Sequence, residues 1–175
     1  MVRLQGNTHG YAVHRQLSSW RVDTWTNVKP PSIYHTVKVL AREGKLHSEG
    51  PEDSPAGPNR VLYSITPAGE SEFFAQLEAA LIDPDPEIFG AGVAFMRSLT
   101  RQRVQALLEQ RVATVDAIGV DLEALKPLWP DPSEPPHAQH LLDLWRGTFE
   151  ASNKWTRIML SHIKSGSFRF ADDQL

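Results

Sequence analysis

A mostly α-helical chain with one small β-hairpin is what this sequence predicts, with the hairpin in the first half and long helices in the second. Three observations predict it. A helical segment opens at Lys29-Pro30-Pro31 and stops at Gly44. Two short strand-like segments flank a loop, Gly50 to Asn59, that holds three prolines and two glycines. From Val104 apolar residues recur at helical spacing as far as Ile163, with one proline-rich break.

The elements follow in order. His9 to Leu17 reads as a short amphipathic helix anchored by Tyr11, Val13 and Leu17. Trp20 to Val28 is a connector. Proline suits a first helical turn, whose N–H groups lack partners, so the next helix runs from about Ser32 to Glu43, with Gly44 as its left-handed cap. At about 100° per residue, Ile33, Val37 and Leu40 fall on one side and His35, Lys38 and Arg42 on the other, with Tyr34 and Val39 on the flanks. Leu46 to Glu49 is a strand, and Arg60 to Ile65 returns antiparallel to it, Val61, Tyr63 and Ile65 sharing a face. Thr66-Pro67 supplies an N-cap and a first-turn proline for a helix carrying Phe73, Phe74, Leu77 and Leu81. Asp83-Pro84-Asp85-Pro86 ends that helix and reads as a linker.

In the second half, Val104, Leu108, Val115, Ile118, Leu122 and Leu125 form a stripe interrupted only by Arg111. Four prolines between Trp129 and Pro136 break the chain. A last helix, about Ala138 to Lys164, sets Leu141, Trp145, Trp155 and Met159 on one stripe, widened by Leu142, Phe149, Ile158 and Ile163. Helices so few with stripes so broad call for a partner, most simply a second copy.

Composition narrows the function. The 175 residues carry a net charge of −3, yet residues 1–42 hold Arg3, Arg15, Arg21, Lys29, Lys38 and Arg42 against Asp23 alone. With no cysteine, disulfides, zinc ribbons and thiol nucleophiles are excluded. No apolar run is long enough to span a membrane and no secretory leader opens the chain, so a cytoplasmic protein is expected. Neither a phosphate-binding glycine loop nor a nucleophile elbow occurs, and no paired carboxylates stand in an apolar setting, so no enzyme is expected. His137 and His140, with Glu134 nearby, are the one metal-like grouping; beside a proline-rich loop they do not suggest a site, and no metal or cofactor is expected.

Three blocks carry a family resemblance. His9-Gly10-Tyr11, the run from Pro31 to Gly44, and Tyr63-Ser64-Ile65-Thr66-Pro67-Ala68-Gly69 resemble, in this order, the signatures of PadR-like transcriptional regulators. The resemblance implies an N-terminal winged helix-turn-helix, a C-terminal helical dimerisation arm of the longer type, and a dimeric repressor of transcription. The chain departs from the pattern in two places. Only Met1 to Gln5 precede the His-Gly-Tyr block where the family has a full helix, so that helix is truncated or replaced, or the true start lies upstream of Met1. Val37 stands where leucine is usual. The organisation expected is a winged-helix DNA-binding domain over residues 1–82, a helical dimerisation domain over 87–165 and a flexible tail over 166–175.

On this reading the helix after the double proline enters the major groove of a pseudo-palindromic operator. His35 and Lys38 are the candidates for base edges, and Ser32, Tyr34 and Arg42 for phosphates. Lys29 neutralises phosphate at the helix start, and Asn59 and Arg60 reach DNA from the wing. Plainer readings stand beside these: Tyr34 as a core residue, His35 as an inert surface group, Arg42 paired with Glu43 or Glu49. Trp145 and Trp155 are candidate walls for a small aromatic effector, although tryptophans on one such stripe more often form a dimer core. The competing function is a winged-helix module that binds protein partners, its basic face merely solvated.

Overall fold

A computed structural model describes residues 1–24, 26, 30–52, 60–128 and 137–174. The chain divides into two compact units, Met1–Gln76 and Leu77–Leu175.

In the first unit, one helical turn α1 (Val2–Gln5) leads to strand β1 (Thr8–His9) and helix α2 (Gly10–Ser19). Helix α3 (Pro30–Arg42), β2 (Leu46–Glu52), β3 (Arg60–Ile65) and the first turns of α4 (Pro67–Ile82) complete it. This is the expected winged helix-turn-helix, but its sheet has three strands in the order β1-β3-β2, all antiparallel. Two residues of β1 are too few for an alternation to announce a strand. They pair Thr8 with Tyr63 and His9 with Leu62, and His9 adds a hydrogen bond from its ring to the Val61 carbonyl at 3.2 Å. The wing strands run in register from Leu46–Ile65 to Glu49–Leu62 and then slip before Glu52, where Gly50 and Pro51 lie. Proline has no N–H for a ladder, which confines it to such irregularities.

Val2, Val13, Ile33, Val37, Leu46 and Tyr63 form the core of this unit, ringed by Leu17, Leu40, Val61 and Ile65. Each such aliphatic contributes roughly 1.5–3 kcal/mol when fully buried. Tyr11, expected as an anchor of α2, instead stands 65% exposed. Gly44, at φ 72°, turns the chain out of α3 in a left-handed cap. The Lys45 N–H bonds the Leu40 carbonyl and the Gly44 N–H the Ala41 carbonyl, a double closure of the helix end. Thr66 ties that turn to α4: its hydroxyl donates to the Gly44 carbonyl at 2.8 Å and accepts from the Gly69 N–H at 3.1 Å. Gly69 is obligatory there, since a Cβ would lie 2.0 Å from the Lys45 carbonyl oxygen.

The second unit holds the rest of α4, then α5 (Pro86–Phe95), α6 (Arg101–Leu125) and α7 (Ala138–Lys164). The Asp-Pro-Asp-Pro run is therefore not a linker. Asp85 caps α5 by accepting from the Glu87 and Ile88 N–H groups, and Pro86 occupies the first turn. Helices α6 and α7 pack antiparallel, as the hydrogen bonds that Lys164 donates to Glu109 and Arg157 donates to Asp116 show. Arg111 does not interrupt the α6 stripe but continues it, 0% exposed among Leu107, Leu108, Val112 and Val115. Its guanidinium donates to the Asp83 carbonyl (3.0 Å), the Thr156 hydroxyl (2.8 Å), the Ser152 hydroxyl (2.9 Å) and the Pro84 carbonyl (3.4 Å). It also lies 3.7 Å from the centre of the Phe89 ring. Burial lowers its pKa from the ordinary arginine value, an effect that nearby Asp83 partly offsets.

The buried side of α7 is Leu142, Asn153, Thr156, Leu160 and Ile163, whereas Leu141, Trp145, Trp155 and Ile158 are exposed. Residues 166–174 are no flexible tail: Phe170 is 1% exposed beneath the Arg101 guanidinium, and the Ala171 N–H bonds the Leu99 carbonyl.

Candidate nucleic-acid interface

Helix α3 is held from one side and open on the other. Ile33 and Val37 are 6% and 5% exposed, and Leu40 packs against the same core. The opposite side presents Ser32, Tyr34, His35, Lys38 and Arg42 to solvent. Among the described residues, His35, Lys38 and Arg42 make no ion pair. Arg42 is not matched to Glu43, which instead pairs with Lys45 at 3.4 Å. Tyr34 is not a core residue either; it is 41% exposed and stacked on His14, with centroids 5.7 Å apart and planes at 19°. Lys29 and Asn59 lie outside the described residues, and Arg60 is described by its backbone alone, as the first residue of β3.

Two residues absent from the sequence reading of this face join it. Tyr11 and Arg15, both exposed on α2, line a concavity of about 700 Å³ together with Tyr34 and Lys38, over a floor that includes Val61 and Tyr63. Among the described residues no carboxylate is in its walls. The i, i+4 spacing of Tyr11 and Arg15 was visible in the sequence; their convergence with α3 depends on tertiary packing.

Of the two tryptophans expected as effector walls, Trp155 borders a cavity among the described residues. Trp155 meets Phe89 edge to face, centroids 5.6 Å apart, and with Pro86, Gly90, Val93, Thr148 and Ser152 lines an apolar slot of about 410 Å³. Trp145 is not among its walls.

Residues 1–75 match the model of the transcriptional regulator PadR-like family. The N-terminal unit is therefore similar to that family. None of the curated proteins matches the chain. Among solved structures, this chain is similar to Bacillus subtilis PadR in complex with operator DNA, at 22% identity and a TM-score of 0.39, covering 90% of this chain and 92% of that one. The same protein in complex with p-coumaric acid is similar at 22% identity and TM-score 0.38, over 91% and 92%. The PadR-like regulator BC1756 from Bacillus cereus is similar at 19% identity and TM-score 0.37, over 93% and 91%. No helix among the described residues is long and apolar enough to cross a membrane.

Proposed function

We propose that this chain is a sequence-specific DNA-binding regulator that works in the cytoplasm as a dimeric repressor. One observation carries the reading: the solvent side of α3 gathers Tyr34, His35, Lys38 and Arg42, the three cation-forming side chains without an ion pair among the described residues, while aliphatic residues fix its other side. A helix so held can enter the major groove, which distinguishes all four base pairs. His35 and Lys38 then face base edges, and Ser32, Tyr34 and Arg42 face phosphates, with Lys29, Asn59 and Arg60 contributing from the helix start and the wing. The exposed stripe of α7, with Leu141, Trp145, Trp155 and Ile158, supports pairing of two copies through the C-terminal helices. Two such copies present their reading helices to half-sites roughly 34 Å apart. The slot beside Trp155 supports release by a flat, apolar effector. The repressor sign rests on the family resemblance alone.

The test is a titration against the duplex upstream of the protein's own gene at several salt concentrations. Affinity is expected to fall steeply with salt, because bound phosphates release counterions. Replacing His35, Lys38 and Arg42 together by alanine is expected to abolish specific binding without unfolding the protein. Unchanged binding by that triple variant overturns the assignment of α3. For the dimer, sedimentation of the Trp145→Ser variant is expected to show a lighter species than wild type.

A further inference from the structure

We infer that Tyr11 and Arg15 of α2, with Tyr34 of α3, form a seat for one backbone phosphate of the bound DNA, with Lys38 on its rim. The inference rests on the DNA-binding reading above and extends it from the groove-facing helix to the helix before it.

The arrangement repeats a small pattern twice. Helix α2 presents a tyrosine and, one turn on, an arginine; helix α3 presents a tyrosine and, one turn on, a lysine. Both pairs open onto the same concavity of about 700 Å³. Among the described residues none of these four side chains makes a hydrogen bond or ion pair, and no carboxylate lines the cavity, in a chain whose net charge is −3. Two phenolic hydroxyls and two cations thus converge with their complement missing from the protein. What complements them is a group with one negative charge and several acceptor oxygens, which describes a phosphodiester. His14, stacked on Tyr34, holds that ring on its far side.

The position gives the seat its use. A phosphate gripped from α2 fixes how deep and at what angle α3 lies in the groove, without reading sequence itself. Lys38 stands between the seat and the base edges. The core residue Val13 lies between Tyr11 and Arg15 and only 5% exposed, so the seat is carried on a helix anchored to the same core as α3.

The experiment uses the full chain, the own-promoter duplex and an unrelated duplex of equal length. The variants are Arg15→Gln, Tyr11→Phe and, as a charge control in the other unit, Lys154→Gln. Arg15→Gln and Tyr11→Phe are each expected to weaken binding to both duplexes by the same factor, on the order of tenfold, as for a lost hydrogen bond to a charged group. Arg15→Gln is also expected to reduce the salt slope by about 0.9, the value for one phosphate, while Tyr11→Phe leaves it unchanged. A single neutral methylphosphonate linkage, scanned along the promoter half-site, is expected to weaken wild-type binding at one position and to leave Arg15→Gln unaffected there. If wild type binds DNA and both variants behave like Lys154→Gln, the seat is overturned and the role of α3 stands. Loss confined to the promoter duplex would likewise overturn it, in favour of base reading by α2. If wild type binds neither duplex, the DNA-binding reading fails, and the seat with it.

Discussion

Helices α3 and α7 each bury one side against their own unit, yet they offer opposite surfaces to solvent. On α3 the outward residues are Tyr34, His35, Lys38 and Arg42; on α7 they include Leu141, Trp145, Trp155 and Ile158, all between 42% and 48% exposed. The inward sides are contrasted too. That of α3 is purely aliphatic at its centre, whereas that of α7 includes Asn153 and Thr156, engaged by the Val112 carbonyl, Asp116 and Arg111. The difference separates two kinds of incompleteness. An exposed cationic face is stable in water and becomes useful beside an anion; an exposed aromatic and aliphatic face favours removal from water altogether.

That contrast can be broken from the inside. The largest effect is expected from Arg111→Ala, which removes four hydrogen bonds and the packing on Phe89 in the second unit. A loss of about 3–5 kcal/mol is expected, read as a lower urea midpoint, with amide exchange accelerated in α6 and α7 and less changed in α3. Gly69→Ala acts on the first unit. With a backbone oxygen 2.0 Å from the new Cβ, the first turn of α4 must move away from Lys45, at a cost of about 1–3 kcal/mol, and exchange is expected to accelerate in α3 instead. Thr66→Ala, which loses the α4 cap, is expected to cost about 1 kcal/mol in the same assay.

The smallest effect is acidic. Bonds from Arg103 hold the Glu78 carboxyl below its ordinary value of 4.5. The stabilisation from this pair is complete above that value and is lost as pH falls through the lowered one. The pair is largely exposed, so the effect is slight. The difference in urea midpoint between wild type and Glu78→Gln is expected to be small at pH 7 and to vanish towards pH 3.

What the sequence made readable were the features with local causes. The double proline, Gly44 and the Thr66-Pro67 pair bound their elements through caps that need only neighbouring residues, and the reading of α7 as Ala138 to Lys164 coincides with the helix found. Unreadable features depend on distant partners. Arg111 looked like a break in a stripe because its acceptors lie between 27 and 45 residues away. On α7 two apolar stripes lie side by side, and periodicity alone does not say which one the chain itself covers. Helix α5 was hidden because the prolines that start it also resemble a linker. For the candidate interface, the outward residues of α3 followed from its period. Tyr11 and Arg15 did not, since one turn of α2 gave no sign that it borders α3.

Arg111 has a consequence for how the second unit comes apart. Its five-donor head joins the stretch after α4 to α7 from a root on α6, while Phe89 of α5 covers it. Detaching any one of these pieces gives up its share of the hydrogen bonds or of the cover on the guanidinium. Fraying by single helices is thereby disfavoured, and these segments are set to open together, as one block rather than in sequence.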